Sequence, residues 1–355
     1  MSKKALVAMS GGVDSSVAAK LVTDMGIECI GCTMKLYNNE DIGKSGRTCC
    51  SLDDTEDARS VAKRLGMPYY VFNFTDDFKE KVIDRFIFSY EHGMTPNPCI
   101  DCNRYMKFDK LYERARVLGC DYIVTGHYAR IEKSGDKYLL KKALDASKDQ
   151  SYVLYNLTQE QLAHTLFPLG EMNKTETRKI ADESGFINAD KPDSQDICFV
   201  PDGNYAEVIE KYTGKKYPVG LFKDQNGNTV GTHKGIIHYT IGQRKGLGLA
   251  MPYPTYVTSV SPSDNTVTVG EEKDLYKSVC KVTDFHMISG EAPKEPFRCS
   301  VKARYRQTER AATVIPIDEN TVEIRFDEPQ RAITPGQSAV LYDGDTVLGG
   351  GIISF

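Results

Sequence analysis

Ser10-Gly11-Gly12-Val13-Asp14-Ser15-Ser16 combines two glycines with three hydroxyls a few residues into the chain. Glycine lets the backbone come close to a ligand, and successive N-H groups at the start of a helix form a cradle suited to a pyrophosphate. Spacing argues against two other phosphate loops. The pattern Gly-x-Gly-x-x-Gly does not occur at this turn, and the Gly-Lys-Ser at Gly43 to Ser45 has Asn38 where a Walker-type loop needs its first glycine.

Sulfur is the second chemistry in the chain. Thr95-Pro96-Asn97-Pro98-Cys99-Ile100-Asp101-Cys102-Asn103 sets a Cys-x-x-Cys pair at the start of a predicted helix, followed by Arg104, Lys107 and Lys110. A helix N-terminus with nearby cations draws a thiol pKa from about 8.5 towards neutrality and makes thiolate available. Asp193-Ser194-Gln195-Asp196-Ile197-Cys198-Phe199 supplies a third cysteine in a polar loop. Cys29, Cys32 and Cys120 stand in strand-like or apolar settings and read as core residues.

These groups need a scaffold. Lys4 to Met9, Cys29 to Leu36, Tyr69 to Phe74 and Asp121 to Thr125 read as strands, alternating with helices at Val13 to Met25, Thr55 to Leu65, Asp77 to Glu91 and Asn103 to Leu118. That alternation predicts an α/β fold with a parallel sheet covered on both faces and its ligands at the carboxyl ends of the strands. The following 75 or so residues read as mostly helical, with Lys174 to Ser184 the clearest helix. Beyond Asp202, Gly and Pro punctuate short β-rich runs such as Val257 to Val260, Ala311 to Ile317 and Val347 to Ser354. The expected division is a catalytic domain over 1–202, a small linking domain over 203–275 and a C-terminal β-barrel over 276–355.

Composition bounds the function classes. With 355 residues, 40% hydrophobic and 26% charged, the chain is neither collagen-like nor disordered. Its apolar runs are too short for a membrane helix, and the N-terminal one is too short for a signal segment, so a cytoplasmic address is expected. Ten cysteines there point to reactive or metal-binding thiols rather than a disulfide framework. Forty-five Lys plus Arg against 49 Asp plus Glu give -4, which speaks against a broadly basic nucleic-acid binder but leaves room for a local patch.

The Ser10 to Ser16 string resembles the PP-loop of the ATP pyrophosphatases, an adenine nucleotide α-hydrolase-like fold. The order of further motifs narrows the resemblance. Cys49-Cys50-Ser51 with Asp57-Ala58-Arg59, the Thr95 to Asn103 segment, Thr125 to Arg130, Lys148 to Tyr152, Asp193 to Phe199, Ile241 to Leu247, Arg304-Tyr305 and Pro335-Gly336-Gln337 resemble the bacterial tRNA-specific 2-thiouridylase family across essentially the whole chain.

The resemblance implies ATP-dependent adenylation of the C2 oxygen of a wobble uridine in tRNA, then replacement of that oxygen by sulfur. It implies that Ala8, Met9, Ser10, Gly11, Gly12, Val13, Asp14, Ser15, Met34 and Gly126 hold ATP, and that Asn97, Pro98 and Cys99 meet the target base. His127, Lys148, Asp149, Gln150, Arg304, Tyr305 and Gln337 would touch tRNA. Cys198 would carry a persulfide and Cys102 would attack it, leaving a transient Cys102 to Cys198 disulfide.

Magnesium on the pyrophosphate, with Asp14 as a candidate ligand, a persulfide donor such as a cysteine desulfurase or relay protein, and a thiol reductant complete the expected set. The protein is expected to act as a monomer away from membranes. Three readings compete: a [4Fe-4S] enzyme using Cys99, Cys102 and Cys198, a small-molecule PP-loop synthetase, and a noncatalytic tRNA binder. The persulfide relay is favoured over the cluster.

Overall fold

Strands β1 (Lys4–Ala8), β2 (Glu28–Lys35), β3 (Tyr69–Asn73) and β4 (Tyr122–Val124) form where the apolar runs predict them in the computed structural model, which describes residues 2–38, 52–192, 197–200 and 203–354. The Gly43 to Ser45 tripeptide, the Cys49-Cys50-Ser51 motif and Asp193 to Asp196 lie outside the described residues. β1 is fully buried at Ala5, Leu6 and Val7, as a central strand covered on two faces must be. The helices that cover it include α1 (Val13–Asp24) and α2 (Leu52–Arg64).

Two further β segments, β5 (Ala129–Ser134) and β6 (Lys137–Lys142), form an antiparallel hairpin, and a short β7 (Thr165–Leu166) adds the fifth parallel strand. The parallel order is β3-β2-β1-β4-β7. The chain therefore reverses its direction of winding between β1 and β4, and such a switch point, at the carboxyl ends of the strands, is where sheets of this kind bind ligands.

The hairpin corrects the expectation of mostly helical structure after residue 130. Six of the 12 residues in its strands are charged, which hides the strand period, and the apolar side chains that show it are Ile131, Tyr138, Leu139 and Leu140. Leu140 is fully buried, in a cluster with Val340, Tyr342 and Val347 from the far end of the chain. β6 pairs with the last strand, Lys141 opposite Thr346 and Leu140 opposite Val347, so the first domain extends the sheet of the third.

The middle of the chain folds as a four-stranded sheet from β8 (Gly220–Lys223), β9 (Thr229–His233), β10 (Tyr256–Ser261) and β11 (Thr266–Gly270). β12 (Tyr276–Met287), β13 (Phe297–Lys302), β14 (Arg310–Asp318), β15 (Thr321–Arg331), β16 (Ser338–Asp343) and β17 (Thr346–Ser354) then close on themselves through the pairing of β12 with β17, giving a six-stranded barrel. Closure removes exposed edges, and alternate residues such as Val282, Ala312, Val314, Ile324 and Ala339 fill the interior. Among the described residues no helix is long and apolar enough to cross a membrane.

Candidate active site

The loop after β1 is built for an anion. Gly12 sits at the helix cap with extended backbone and no side-chain hydrogen bond to the first turn, so the leading N-H groups of α1 keep their capacity to donate. The loop's hydroxyls are ordered within it: Ser15 Oγ donates to the Gly12 carbonyl at 2.9 Å and Ser16 Oγ to the same oxygen at 3.1 Å. Gly11 has φ +75°, and a Cβ there would lie 2.3 Å from the Asp54 carbonyl oxygen of α2. Gly126, after β4, packs so closely that a Cβ would stand 2.7 Å from Ser15 N. Both switch-point loops thus meet at the first turn of α1.

Side chains that sequence reading did not single out hold this loop. Lys174 Nζ reaches both Asp14 oxygens at 2.7 and 2.8 Å, and the Tyr128 hydroxyl donates to Asp14 Oδ1 at 2.8 Å. Asp14 is therefore committed to anchoring α1, and the magnesium role expected for it does not fit this arrangement. Asn188 Nδ2 donates to the Gly11 carbonyl and to Ser16 Oγ, each at 2.9 Å. Lys191 Nζ lies 3.2 Å from the same carbonyl, 2.9 Å from Asp57 Oδ2, and against Asp54. Helix capping by Asn173 places Lys174 at the start of its helix, but nothing in sequence spacing pairs it with a residue 160 positions away.

Asn97 and Pro98 start the cysteine-bearing helix, which runs without a break over 98–117. Asn97 Oδ1 accepts from Cys99 N at 3.2 Å, and Pro98 occupies the first turn, where its missing N-H costs nothing. Pro98 is buried and Cys99 exposed, so of the three expected base contacts only Asn97 and Cys99 present surface. Ala8 at the end of β1, Met34 near the end of β2, Cys102 and Cys198 all pack against one apolar cluster. The end of β1, from which the loop springs, and both expected sulfur residues thus share a core, whereas Met9 and Val13 of the loop pack in a second cluster.

Cysteines elsewhere among the described residues are kept out of the chemistry by burial, which pushes the thiols of Cys32 and Cys120 up, Cys120 to about 11. Cys280 and Cys299 rise to about 12 for the same reason. The residues as placed do not fit an iron-sulfur cluster: among the described residues no group of three His, Cys, Asp or Glu side chains is gathered to hold a metal ion.

The expected tRNA contacts divide. His127 is 7% exposed, its ring lies between Phe108 and Phe167, and burial together with the Lys107 charge holds its pKa well below the usual value. It is a packed neutral histidine rather than a surface contact. Asp149 is likewise committed, its carboxylate accepting from Ala143 N, Ser151 N and Ser151 Oγ. Gln150 grips Tyr128 through both backbone and side chain at 2.9 Å. Lys148 is half-buried, with its N-H closing a turn on Asp145.

Arg304 is a stitch between domains. Its Nη2 donates to the Ile241 carbonyl at 3.0 Å and to Thr334. Gln337 Nε2 donates to the Thr95 carbonyl at 2.7 Å, Thr95 N to the Pro335 carbonyl at 2.8 Å, and Thr95 Oγ1 to Thr240 Oγ1 at 3.1 Å. Motifs from all three parts of the chain thus converge just ahead of Cys99. Tyr305 is 39% exposed, and burial, Asp149 and the nearby Cys99 raise its pKa. Beside this junction Arg244, Lys245 and Arg306 are exposed, with no ion-pair partner among the described residues.

Family comparisons agree with this organisation. The family described as tRNA methyl transferase HUP domain matches residues 3–202, the tRNA methyl transferase PRC-barrel domain residues 206–271, and the aminomethyltransferase beta-barrel domain residues 277–353. The tRNA-specific 2-thiouridylase MnmA of Clostridioides difficile strain 630 is 52% identical, covering 99% of this chain and 98% of its own. The protein of the same name from Acetivibrio thermocellus is 50% identical, covering 99% of both chains. With a parallel-sheet domain, a linking sheet and a closed barrel in that order, and relatives about half identical over 99% of its length, the chain belongs to the tRNA-specific 2-thiouridylase family.

Proposed function

We propose that this protein is a tRNA 2-thiouridylase, activating the C2 oxygen of a wobble uridine with ATP and replacing it with sulfur. The observation that carries the reading is a glycine loop that opens a helix straight after β1, with Ala8 at the end of that strand packed on the same apolar cluster as Cys102 and Cys198. The domains are assigned to 1–202, 203–275 and 276–355, with ATP, magnesium, a persulfide donor and a thiol reductant as partners and the cytoplasm as address.

The C2 carbonyl of uracil is a poor electrophile. Transfer of AMP to its oxygen creates a leaving group, and the donors at the start of α1 hold the pyrophosphate that departs from ATP. Attack of the Cys102 thiolate on Sγ of a Cys198 persulfide forms the Cys102 to Cys198 disulfide and expels the outer sulfur as a sulfide nucleophile. That sulfur bonds C2 as AMP leaves with the former C2 oxygen, and an external dithiol reduces the disulfide. Two cysteines are needed because one delivers the sulfur and the other releases it.

Incubating the protein with ATP, a persulfide donor and unmodified tRNA is expected to yield AMP, pyrophosphate and 2-thiouridine at the wobble position, read by mass spectrometry of nucleosides. ADP and inorganic phosphate as products would refute the assignment. The same experiment separates this reading from a small-molecule synthetase, whose AMP formation would not depend on tRNA.

Despite the net charge of -4, tRNA affinity is expected to fall steeply with salt, because Arg244, Lys245 and Arg306 form a local cationic patch beside the domain junction. Arg244→Gln combined with Arg306→Gln should flatten the log-log salt slope by roughly 0.7 to 0.9 for each phosphate that is no longer neutralised. An unchanged slope in filter binding would place the RNA elsewhere.

A further inference from the structure

Cys198 stands in a tight turn, closed by Val200 N donating to the Ile197 carbonyl at 2.8 Å. Just past it the backbone dives into the core: Phe199 and Val200 are each 1% exposed, and the Phe199 ring meets Phe78 and Phe86 edge-on at 5.8 and 5.2 Å. Tyr37 packs on the same Phe78 at 6.0 Å, and its hydroxyl donates to the Cys198 carbonyl at 2.9 Å. Tyr37 lies three residues beyond Met34, off the carboxyl end of β2, the strand beside β1 and its loop. On the other side of Cys198, Lys191 is tied to the Gly11 carbonyl of that loop.

We infer that Tyr37 is a positioning residue for sulfur delivery, its hydroxyl on the Cys198 carbonyl setting where the sulfur-bearing side chain stands relative to the ATP loop. This rests on the sulfur-transfer reading above. A turn held by its neighbours alone leaves the orientation of its second residue free to vary. A hydrogen bond from a rigid, buried ring to that residue's own carbonyl removes the freedom, and reactions between two held groups depend steeply on such alignment. Tyr37→Phe keeps the ring and its packing and deletes only the donor.

The full-length variant is to be compared with wild type in three measurements. These are tRNA-dependent AMP formation, single-turnover 2-thiouridine formation from persulfide-loaded protein, and the rate of Cys102 to Cys198 disulfide formation with oxidised glutathione. In the last, two protein thiols are oxidised as one glutathione disulfide is reduced to two thiols. Thiolation and disulfide formation are expected to slow roughly five- to tenfold, the size of one net hydrogen bond, while AMP formation and the KM for ATP stay at wild-type values. Wild-type rates in both sulfur measurements would overturn the inference. So would loss of AMP formation in equal proportion, or a variant that fails to fold, since either makes the hydroxyl a structural group. If wild type itself forms neither AMP nor 2-thiouridine, it is the thiouridylase reading that fails.

Discussion

Cys102→Ser and Cys198→Ser are each expected to reduce 2-thiouridine formation by about 10³-fold or more, because a hydroxyl can neither carry a persulfide nor open one. AMP formation should survive both changes, since the donors of the ATP loop and the packing behind them are untouched. The contrast with Cys99 tests the assignment within the Cys-x-x-Cys pair. Cys99 is exposed at the surface of its helix, whereas Cys102 packs on the cluster shared with Cys198, Ala8 and Met34. Cys99→Ser should retain most of the activity. Single-turnover thiolation with quantified AMP checks all three variants, and substantial activity in either of the first two would require another sulfur carrier.

Adding one methyl group to the ATP loop is expected to be nearly as damaging. Gly11→Ala forces an L side chain into φ +75° and sets its Cβ 2.3 Å from the Asp54 carbonyl oxygen, a backbone atom that cannot swing aside. Gly126→Ala drives the loop after β4 against Ser15 N, where a Cβ would stand at 2.7 Å. Either change displaces the first turn of α1 by the order of an ångström, and a shift of that size can cost about 10²-fold in the reaction of a positioned substrate. The expected result is a fall of that order in kcat/KM for ATP, with tRNA affinity retained because the exposed cations lie on other elements. Steady-state AMP release and tRNA filter binding measure the two quantities separately, and an unimpaired Gly126→Ala enzyme would show that ATP does not sit at the meeting of these loops.

Local chemistry made much of this protein legible from its residues alone. A short apolar run with β-branched or aromatic side chains reads as a strand whether it falls at the sheet's centre, like β1, or at its exposed edge, like β3, so β1 to β4 and the helices between them follow from the order of residues, and so does the glycine loop that starts α1. Asn97-Pro98 announces the helix start that carries Cys99 and Cys102 because capping and proline geometry are local effects. Partnerships across the chain are not local. Sequence alone could not tell that Asp14 belongs to Lys174 and Tyr128, that Gln337 holds Thr95, or that the charged hairpin 129–142 joins a barrel strand more than 200 residues later. It could not separate the buried His127 and the enclosed carboxylate of Asp149 from surface groups of the same types either, since a polar side chain owes its burial to partners supplied by other elements. Residue types and their local spacing determined the elements and the kinds of chemistry they can carry; only the tertiary structure, by giving polar groups such as the half-buried Asp14 and the buried Asn188 distant partners, decided which of those residues stay at the surface and which hold the others in place.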